Sequence, residues 1–320
     1  MRKPIPIVTG SDDNYALGVA GLIASLGRTN TGVDLTVLSL GISSENQSRL
    51  VALGNAYAVT VSIIEIDKAL VERLQVKRKH ITAATFLRLL IPDLFPSAEN
   101  LLYLDCDMTV VGSLAPLFDI DLGENLLGAV IEPPPYDVAE EHISHQDINA
   151  GMLLMNIPAW IQQRVADKCL ALLSDPTSTL TFEDQSAINQ VCFGKISFLP
   201  LHWNTHATHA LQQDYLFSSP EEVRILHFVG DIKPWNATTV FSPLWWAVFK
   251  DLDLKIPPKG KISYSRKLSR INLKRREVFA KILGKSKAQQ QIRFEAELKS
   301  KIIPMLINRL KHSVKIHDTK

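Results

Sequence analysis

Short apolar runs separated by turn residues set the pattern of the first 240 residues. Residues 4–8, 34–40, 59–66, 101–104, 126–131 and 149–155 are rich in Val, Ile, Leu and Met and bounded by Gly, Asp, Asn or Ser, as buried strands are. Between them, apolar residues recur at helical spacing over 16–24, from Ser43 onward, and over 83–90. This strand–helix–strand alternation predicts an α/β fold built on a parallel sheet with crossover helices. Further on, Pro158 opens an amphipathic helix predicted to run through Leu173, and Phe182-Glu-Asp-Gln185 begins another. Pro133-Pro-Pro-Tyr136 and the polar stretch to Gln146 read as one long loop, a candidate lid. No internal repeat is visible.

Against this pattern, Leu101-Leu-Tyr-Leu-Asp-Cys-Asp-Met-Thr-Val-Val111 stands out. Alternate side chains of a strand share a face, so Asp105 and Asp107 point the same way where the strand ends. Two like charges a few Å apart repel unless a cation or a shared proton compensates them. At the end of a parallel sheet, the usual ligand crevice of such folds, they suit a hard divalent metal carrying phosphate oxygens; the bland alternative is a solvated turn. Other positions carry similar pairs of readings. Gly10-Ser-Asp-Asp-Asn-Tyr15 ends strand one where a nucleotide would lie, although Asp12 and Asp13 also serve as helix caps. Arg88 either snorkels from an apolar face or pairs a carboxylate or phosphate. The tight Asn149-Ala-Gly151 either lets a ligand approach the backbone or marks a bulge. His227, followed by Gly230 and Lys233, closes a late strand and is by itself an ordinary structural histidine. Neither GxGxxG nor GxxxxGK[ST] occurs, so dinucleotide and P-loop fingerprints are missing.

Composition narrows the class. At 320 residues, 46% hydrophobic and near-zero mean hydropathy, the chain is that of a soluble globular protein with a full core. Cys106, Cys169 and Cys192 form no CxxC pair, which fits a reducing compartment. Arg2 and Lys3 precede too few apolar residues for a signal peptide, and no run approaches a membrane span, so the expected compartment is the cytoplasm. The net charge of +2 hides an asymmetry: residues 255–320 carry nineteen Lys and Arg against Glu277, Glu295, Glu297 and Asp318. The boundary falls near Pro257-Pro-Lys-Gly260, giving an acidic body over 1–256 and a basic tail over 257–320. In the tail, Leu268, Ile271, Val278 and Ile282 make one helical stripe, and Ile302, Leu306 and Leu310 make a second, broken or started by Pro304. A basic amphipathic helix suits an anionic membrane surface; alternatively it packs on its own domain. Nucleic-acid binding is disfavoured by the acidic body and the lack of a reading motif.

Taken together and in order, Ser11-Asp-Asp-Asn-Tyr15, His80-Ile-Thr82 with Phe86-Leu-Arg-Leu89, Leu102-Tyr-Leu-Asp-Cys-Asp107, Asn149-Ala-Gly151, Glu183-Asp-Gln185 and His227-Phe-Val-Gly-Asp-Ile-Lys-Pro-Trp235 resemble glycosyltransferase family 8. The likeness is to the bacterial lipopolysaccharide galactosyl- and glucosyltransferase branch, with glycogenin a distant relative, and covers about residues 5–240. It implies a single Rossmann-like, nucleotide-sugar-binding domain of GT-A type with a basic, mainly helical C-terminal extension. The implied activity is transfer of galactose or glucose, with retention, from a UDP-sugar to a lipopolysaccharide or other envelope glycan at the inner face of the membrane. It implies Mn2+, or Mg2+, held by Asp105, Asp107 and His227. Gly10, Asp12, Asn14 and Tyr15 match uridine contacts; Gly230 and Lys233 match diphosphate contacts, and Cys106 falls among the donor-binding positions. Arg88, Asn149, Asp184 and Gln185 match donor-sugar contacts, and His80 an acceptor-side residue. For retention, Gln185 or Asp184 are the available nucleophiles, whereas attack from the leaving-group face needs none and is preferred. The chain departs from the family at Ser186, Glu132 and Asn236, where aspartate, aspartate and histidine are frequent. A non-catalytic sugar-nucleotide sensor or membrane adaptor is the alternative from another class; a nucleotidyltransferase is more distant.

Overall fold

Seven strands form one sheet in the order β3-β2-β1-β4-β7-β6-β8: β1 (Ile5–Ser11), β2 (Val33–Ser39), β3 (Val59–Glu65), β4 (Asn100–Leu104), β6 (Leu127–Ile131), β7 (Ile148–Asn156) and β8 (Ile196–Leu199). A second sheet, β5 (Met108–Val110), β10 (Ile225–His227) and β9 (Thr205–His206), stands beside the end of β4. The computed structural model describes residues 4–67, 69, 83–132, 147–175, 177, 180, 183–207, 218–250 and 294–312. His80, the candidate lid over 133–146, the stripe at Leu268–Ile282 and the 256/257 boundary lie outside them.

β1 through β4 are parallel, as expected, but β7 runs antiparallel to both β4 and β6. The sheet is therefore mixed. A parallel neighbour needs a long crossover, and the Pro-rich stretch between β6 and β7 has no helical pattern to supply one. Period-2 alternation divides the core across the sheet: Ile7, Leu102, Leu104 and Leu154 face one side, Val8, Leu101, Tyr103 and Leu153 the other. Both faces of β1, β4 and β7 are covered, which is why these strands read as nearly unbroken apolar runs, whereas edge strand β3 exposes Thr60, Ser62 and Glu65.

On the first face lie α1 (Ala16–Thr29) and α2 (Ser44–Ala56). Every residue of α1 is buried, because later segments cover its outer side. Gly21 allows one such approach, since a Cβ there would lie 2.7 Å from the Trp245 indole nitrogen. On the second face, residues 83–90 form a 3-10 helix leading into α3 (Ile91–Leu94). The single helix expected from Pro158 is two, α4 (Ile157–Gln162) and α5 (Val165–Ser174), because Arg164 takes a left-handed conformation with φ +53°. α6 (Glu183–Val191) packs beside them, and α7 (Ser242–Ala247) returns to α1.

Residues 298–310 join the same core. A π-helical turn, Leu298–Ile302, leads into α8 (Ile303–His312), with Pro304 in its first turn, where proline is tolerated. Leu298, Ile302, Leu306 and Leu310 are buried against the α1 side, so this stripe takes the second of its two readings and packs on the domain. Arg28 fastens it: its Nε donates to Val248 O at 2.7 Å and its Nη1 to Leu310 O at 3.3 Å. Arg309 donates to Val223 O at 3.1 Å and Pro220 O at 3.3 Å. Among the described residues no helix is long and apolar enough to cross a membrane.

Candidate metal and nucleotide-sugar site

The turn between β4 and β5 carries both acids of Asp105-Cys-Asp107. Two neighbours hold it: Asp105 N donates to Gly151 O of β7 at 2.8 Å, and Phe228 N donates to Asp107 O at 3.1 Å. β10 pairs antiparallel with β5 so that His227 lies opposite Met108, next to the second acid. A residue 120 positions away in sequence is thereby brought to the pair. His227 Nε2 lies 3.1 Å from Asp107 Oδ1 and 3.7 Å from Asp105 Oδ2, and one ligand atom from each residue falls within 4.8 Å of the others. Gly151 makes room: a Cβ there would meet His227 Cε1 at 2.4 Å and Asp105 Oδ2 at 2.7 Å.

Two buried cations flank the acids. Lys233 Nζ bonds Asp107 Oδ2 and also donates to Phe228 O at 2.7 Å. Burial alone would raise the Asp107 pKa, but Lys233 and His227 outweigh it and hold the carboxyl well below its ordinary range. Burial alone would likewise lower the Lys233 pKa, and Asp107 reverses that. On the other side, Arg88 Nη2 reaches Asp105 Oδ1 at 3.1 Å, Nε reaches Asp184 Oδ2 at 3.1 Å, and Nη1 donates to Ala150 O. Its guanidinium lies 4.7 Å from the Tyr103 ring centroid, and Tyr103 Oη donates to Asp105 Oδ1 at 2.7 Å. Against the opposing effect of burial, Asp105, Tyr103 and Asp184 raise the Arg88 pKa, so the cation is permanent. Of the two open readings, Arg88 pairs carboxylates rather than snorkels.

The donor set tests whether a metal fits. Asp107 Oδ1 is buried without a hydrogen-bond partner, while Asp107 Oδ2 and Asp105 Oδ1 are engaged. The free oxygen faces an imidazole nitrogen. Two carboxylates and one imidazole suit a hard or borderline divalent ion such as Mn2+. The residues fit such an ion.

Next to the acids, the residues expected around a donor sugar are gathered at the start of β7. Gln185 Oε1 accepts from Ala150 N at 3.0 Å, and its Nε2 donates to Glu132 Oε2 at 3.2 Å. Asn149 Nδ2 donates to the same Glu132 oxygen at 2.7 Å. Glu132 is thus the hub of this group, its extra methylene spanning to both amides. Toward β1, Asp12 caps the turn Asp13–Tyr15, its Oδ1 accepting from Tyr15 N at 3.2 Å, with Asn14 nearby. Asp13 accepts from the Ser43 amide at 2.8 Å and from Asn46, which keeps its pKa low and ties the loop to α2. Gly10 lies under the 3-10 helix, beside Ala84 and Leu87. Tyr15 stands edge-on to Trp235, with Lys233 Nζ 5.9 Å from its ring centroid. Gly230, at φ +87°, makes the turn through which Lys233 reaches Asp107. The Cys106 thiol points into the core, where burial pushes its pKa well up.

Sequence patterns alone miss Tyr103 and Asn204. Tyr103 reads as a core aromatic of β4. Asn204 Oδ1 lies 3.1 Å from His227 Nδ1, yet it sits just after a short turn with no periodicity to mark it.

A protein-family model described as "Glycosyl transferase family 8" matches residues 6–239. General stress protein A of Bacillus subtilis is 28% identical over 261 residues, covering 75% of this chain and 91% of that protein. The lipopolysaccharide 1,3-galactosyltransferase of Salmonella typhimurium is 28% identical over 246 residues, 72% of this chain and 73% of that enzyme. Among solved structures, the galactosyltransferase LgtC in complex with donor and acceptor sugar analogues aligns with a TM-score of 0.67 at 24% identity. The alignment covers 80% of this chain and 98% of that one, a likeness that shows the GT-A fold.

Proposed function

The chain belongs to glycosyl transferase family 8, and from that premise we propose that it moves galactose or glucose from a UDP-sugar to a glycan acceptor, with retention of anomeric configuration. The observation that carries this reading is the Asp105–Asp107–His227 cluster with its unpartnered buried oxygen, set between the permanent cations Arg88 and Lys233. Mn2+, or Mg2+, held there would act as a Lewis acid for the leaving diphosphate. Lys233, reached through the Gly230 turn, adds a positive charge where the leaving group develops its negative charge. Tyr15, Asp12, Asn14 and Gly10 are proposed for the nucleotide side, and Arg88, Asn149, Asp184 and Gln185 for the sugar side. Cys106 offers the nucleotide side only its backbone, because its thiol faces the core.

The geometry supports attack from the leaving-group face. Asp184 is buried and ion-paired with Arg88, while the Gln185 oxygen already accepts from Ala150 N. A nucleophile would have to break those bonds, whereas same-face attack needs none. The acceptor is proposed to be lipopolysaccharide or another envelope glycan, with His80 on its side of the site. Residues 257–320 are proposed as a basic extension that holds the enzyme on the anionic inner face of the cytoplasmic membrane while its segment 298–310 packs on the domain. Because α8 is packed in the core, that attachment falls to the basic residues before it and to exposed lysines such as Lys299 and Lys301. A non-catalytic sensor would not need the whole metal–cation constellation.

Screening UDP-hexoses for UDP release, with and without Mn2+ and candidate glycans, tests the reading. UDP-galactose or UDP-glucose is expected to release UDP in a metal-dependent way. Release from no UDP-hexose under any of these conditions contradicts it.

A further inference from the structure

A chain of side-chain amides runs behind the cluster from Glu132 to His227, and its polarity follows from its fixed ends. A carboxylate oxygen only accepts, so the Asn149 atom 2.7 Å from Glu132 Oε2 is Nδ2. A backbone N–H only donates, so the Asn149 atom 3.0 Å from Gly151 N is Oδ1. Two separate partners demand the same orientation. Asn204, fully buried, must therefore turn its Nδ2 to Asn149 Oδ1, at 2.9 Å. Its own Oδ1 is left facing His227 Nδ1 at 3.1 Å. In the neutral imidazole the proton must then sit on Nδ1, leaving the Nε2 lone pair aimed at the acids.

We propose that Asn204 is a positioning residue that holds His227 in its Nδ1–H form, so that Nε2 is offered to a divalent cation, and that links this form through Asn149 to Glu132 and Gln185. The inference rests on the metal-dependent reading above. Its physical content is a competition between two tautomers. With the proton on Nε2, a small reorientation would let His227 donate to Asp107 Oδ1, 3.1 Å away and otherwise unpartnered, and the cluster would satisfy itself without a cation. That form sets the Nδ1 lone pair against Asn204 Oδ1, two buried acceptors face to face, and so is penalised. Without the Asn204 oxygen the penalty vanishes, and a cation must displace a formed hydrogen bond. Histidine ligands elsewhere are oriented by the same kind of outer partner.

The test uses the full chain and two variants. Nitrogen-15 NMR of the imidazoles reads the His227 tautomer without any metal, and Mn2+ titration followed by electron paramagnetic resonance reads the site without nucleotide or turnover. Wild type is expected to show Nδ1–H. Asn204→Leu is expected to shift toward Nε2–H and to bind Mn2+ roughly 10–100-fold more weakly. Asn204→Asp still accepts from Nδ1–H but cannot donate to Asn149. It is expected to keep Mn2+ affinity while raising the KM for the UDP-sugar. An Nε2–H tautomer in wild type overturns the proposal, as does equal Mn2+ binding by the two variants, whether both are unchanged or both weakened. A purely structural role would weaken both alike. Failure of wild type to bind Mn2+ would instead overturn the metal reading, and the tautomer measurement would still decide the position of Asn204.

Discussion

Single atoms decide much of this site. The missing Cβ of Gly151 lets Asp105 and His227 approach, since an alanine methyl would fall within 2.7 Å of both side chains. Gly151→Ala is therefore expected to weaken Mn2+ binding by tenfold or more, on the scale of losing a ligand's support, with the fold retained by circular dichroism. Unchanged Mn2+ affinity would show that the cluster tolerates separation. The cysteines make a different prediction. Burial pushes Cys106 well up and Cys192 up to about 12. A raised folded pKa means that stability is intact below the unfolded thiol value, about 8.5, and declines as pH rises from there toward the folded value. All three thiols are expected to resist a soluble thiol reagent at pH 8 in the native state and to react after denaturation. Rapid labelling of the native protein would contradict their burial.

Among the elements, α8 was the least readable from sequence. Its stripe of Ile302, Leu306 and Leu310 fits a lipid surface and a protein groove equally well, because periodicity states that a face is apolar but not what covers it. The structure places it on α1 and α7, pinned by Arg28. Leu306→Ala is accordingly expected to cost about 2–5 kcal/mol in urea unfolding, the range for a buried leucine. A cost near zero would mean that α8 does not belong to the folded core. The strands, by contrast, were legible: 34–40 and 59–66 are apolar-rich runs bounded by turn residues, even though β3, at the sheet edge, exposes Thr60, Ser62 and Glu65. The antiparallel direction of β7 was not, since strand direction depends on the connection and leaves no mark in the strand itself. Asp105 and Asp107 were legible as a pair at the end of β4, although they stand on the turn after it and not within a strand. Their approach to His227 depends on the β5–β10 pairing, which three short residues on each side do not announce.

At the scale of the whole molecule, an acidic body is followed by a basic tail, with nineteen Lys and Arg in residues 255–320, yet α8 within that tail is part of the core. Removing everything after Ile256 would strip that core, so charge is better altered in place. Replacing Lys261, Arg266, Lys267, Arg270, Lys274, Arg275 and Arg276 by Gln is expected to abolish sedimentation with anionic vesicles at low salt, each charge contributing about 1 kcal/mol near such a surface. UDP-sugar hydrolysis should be untouched; equal sedimentation of both forms would show that this segment is not the anchor. The central claim is that the body binds its nucleotide through a cation held by Asp105, Asp107 and His227. Calorimetric titration of UDP into wild type and Asp107→Ala, each with Mn2+ and then with chelator, tests it most directly. Wild type is expected to lose roughly 10–100-fold in UDP affinity on chelation, and the variant to bind weakly and equally in both conditions. Wild-type UDP affinity that does not change when Mn2+ is removed would contradict the account.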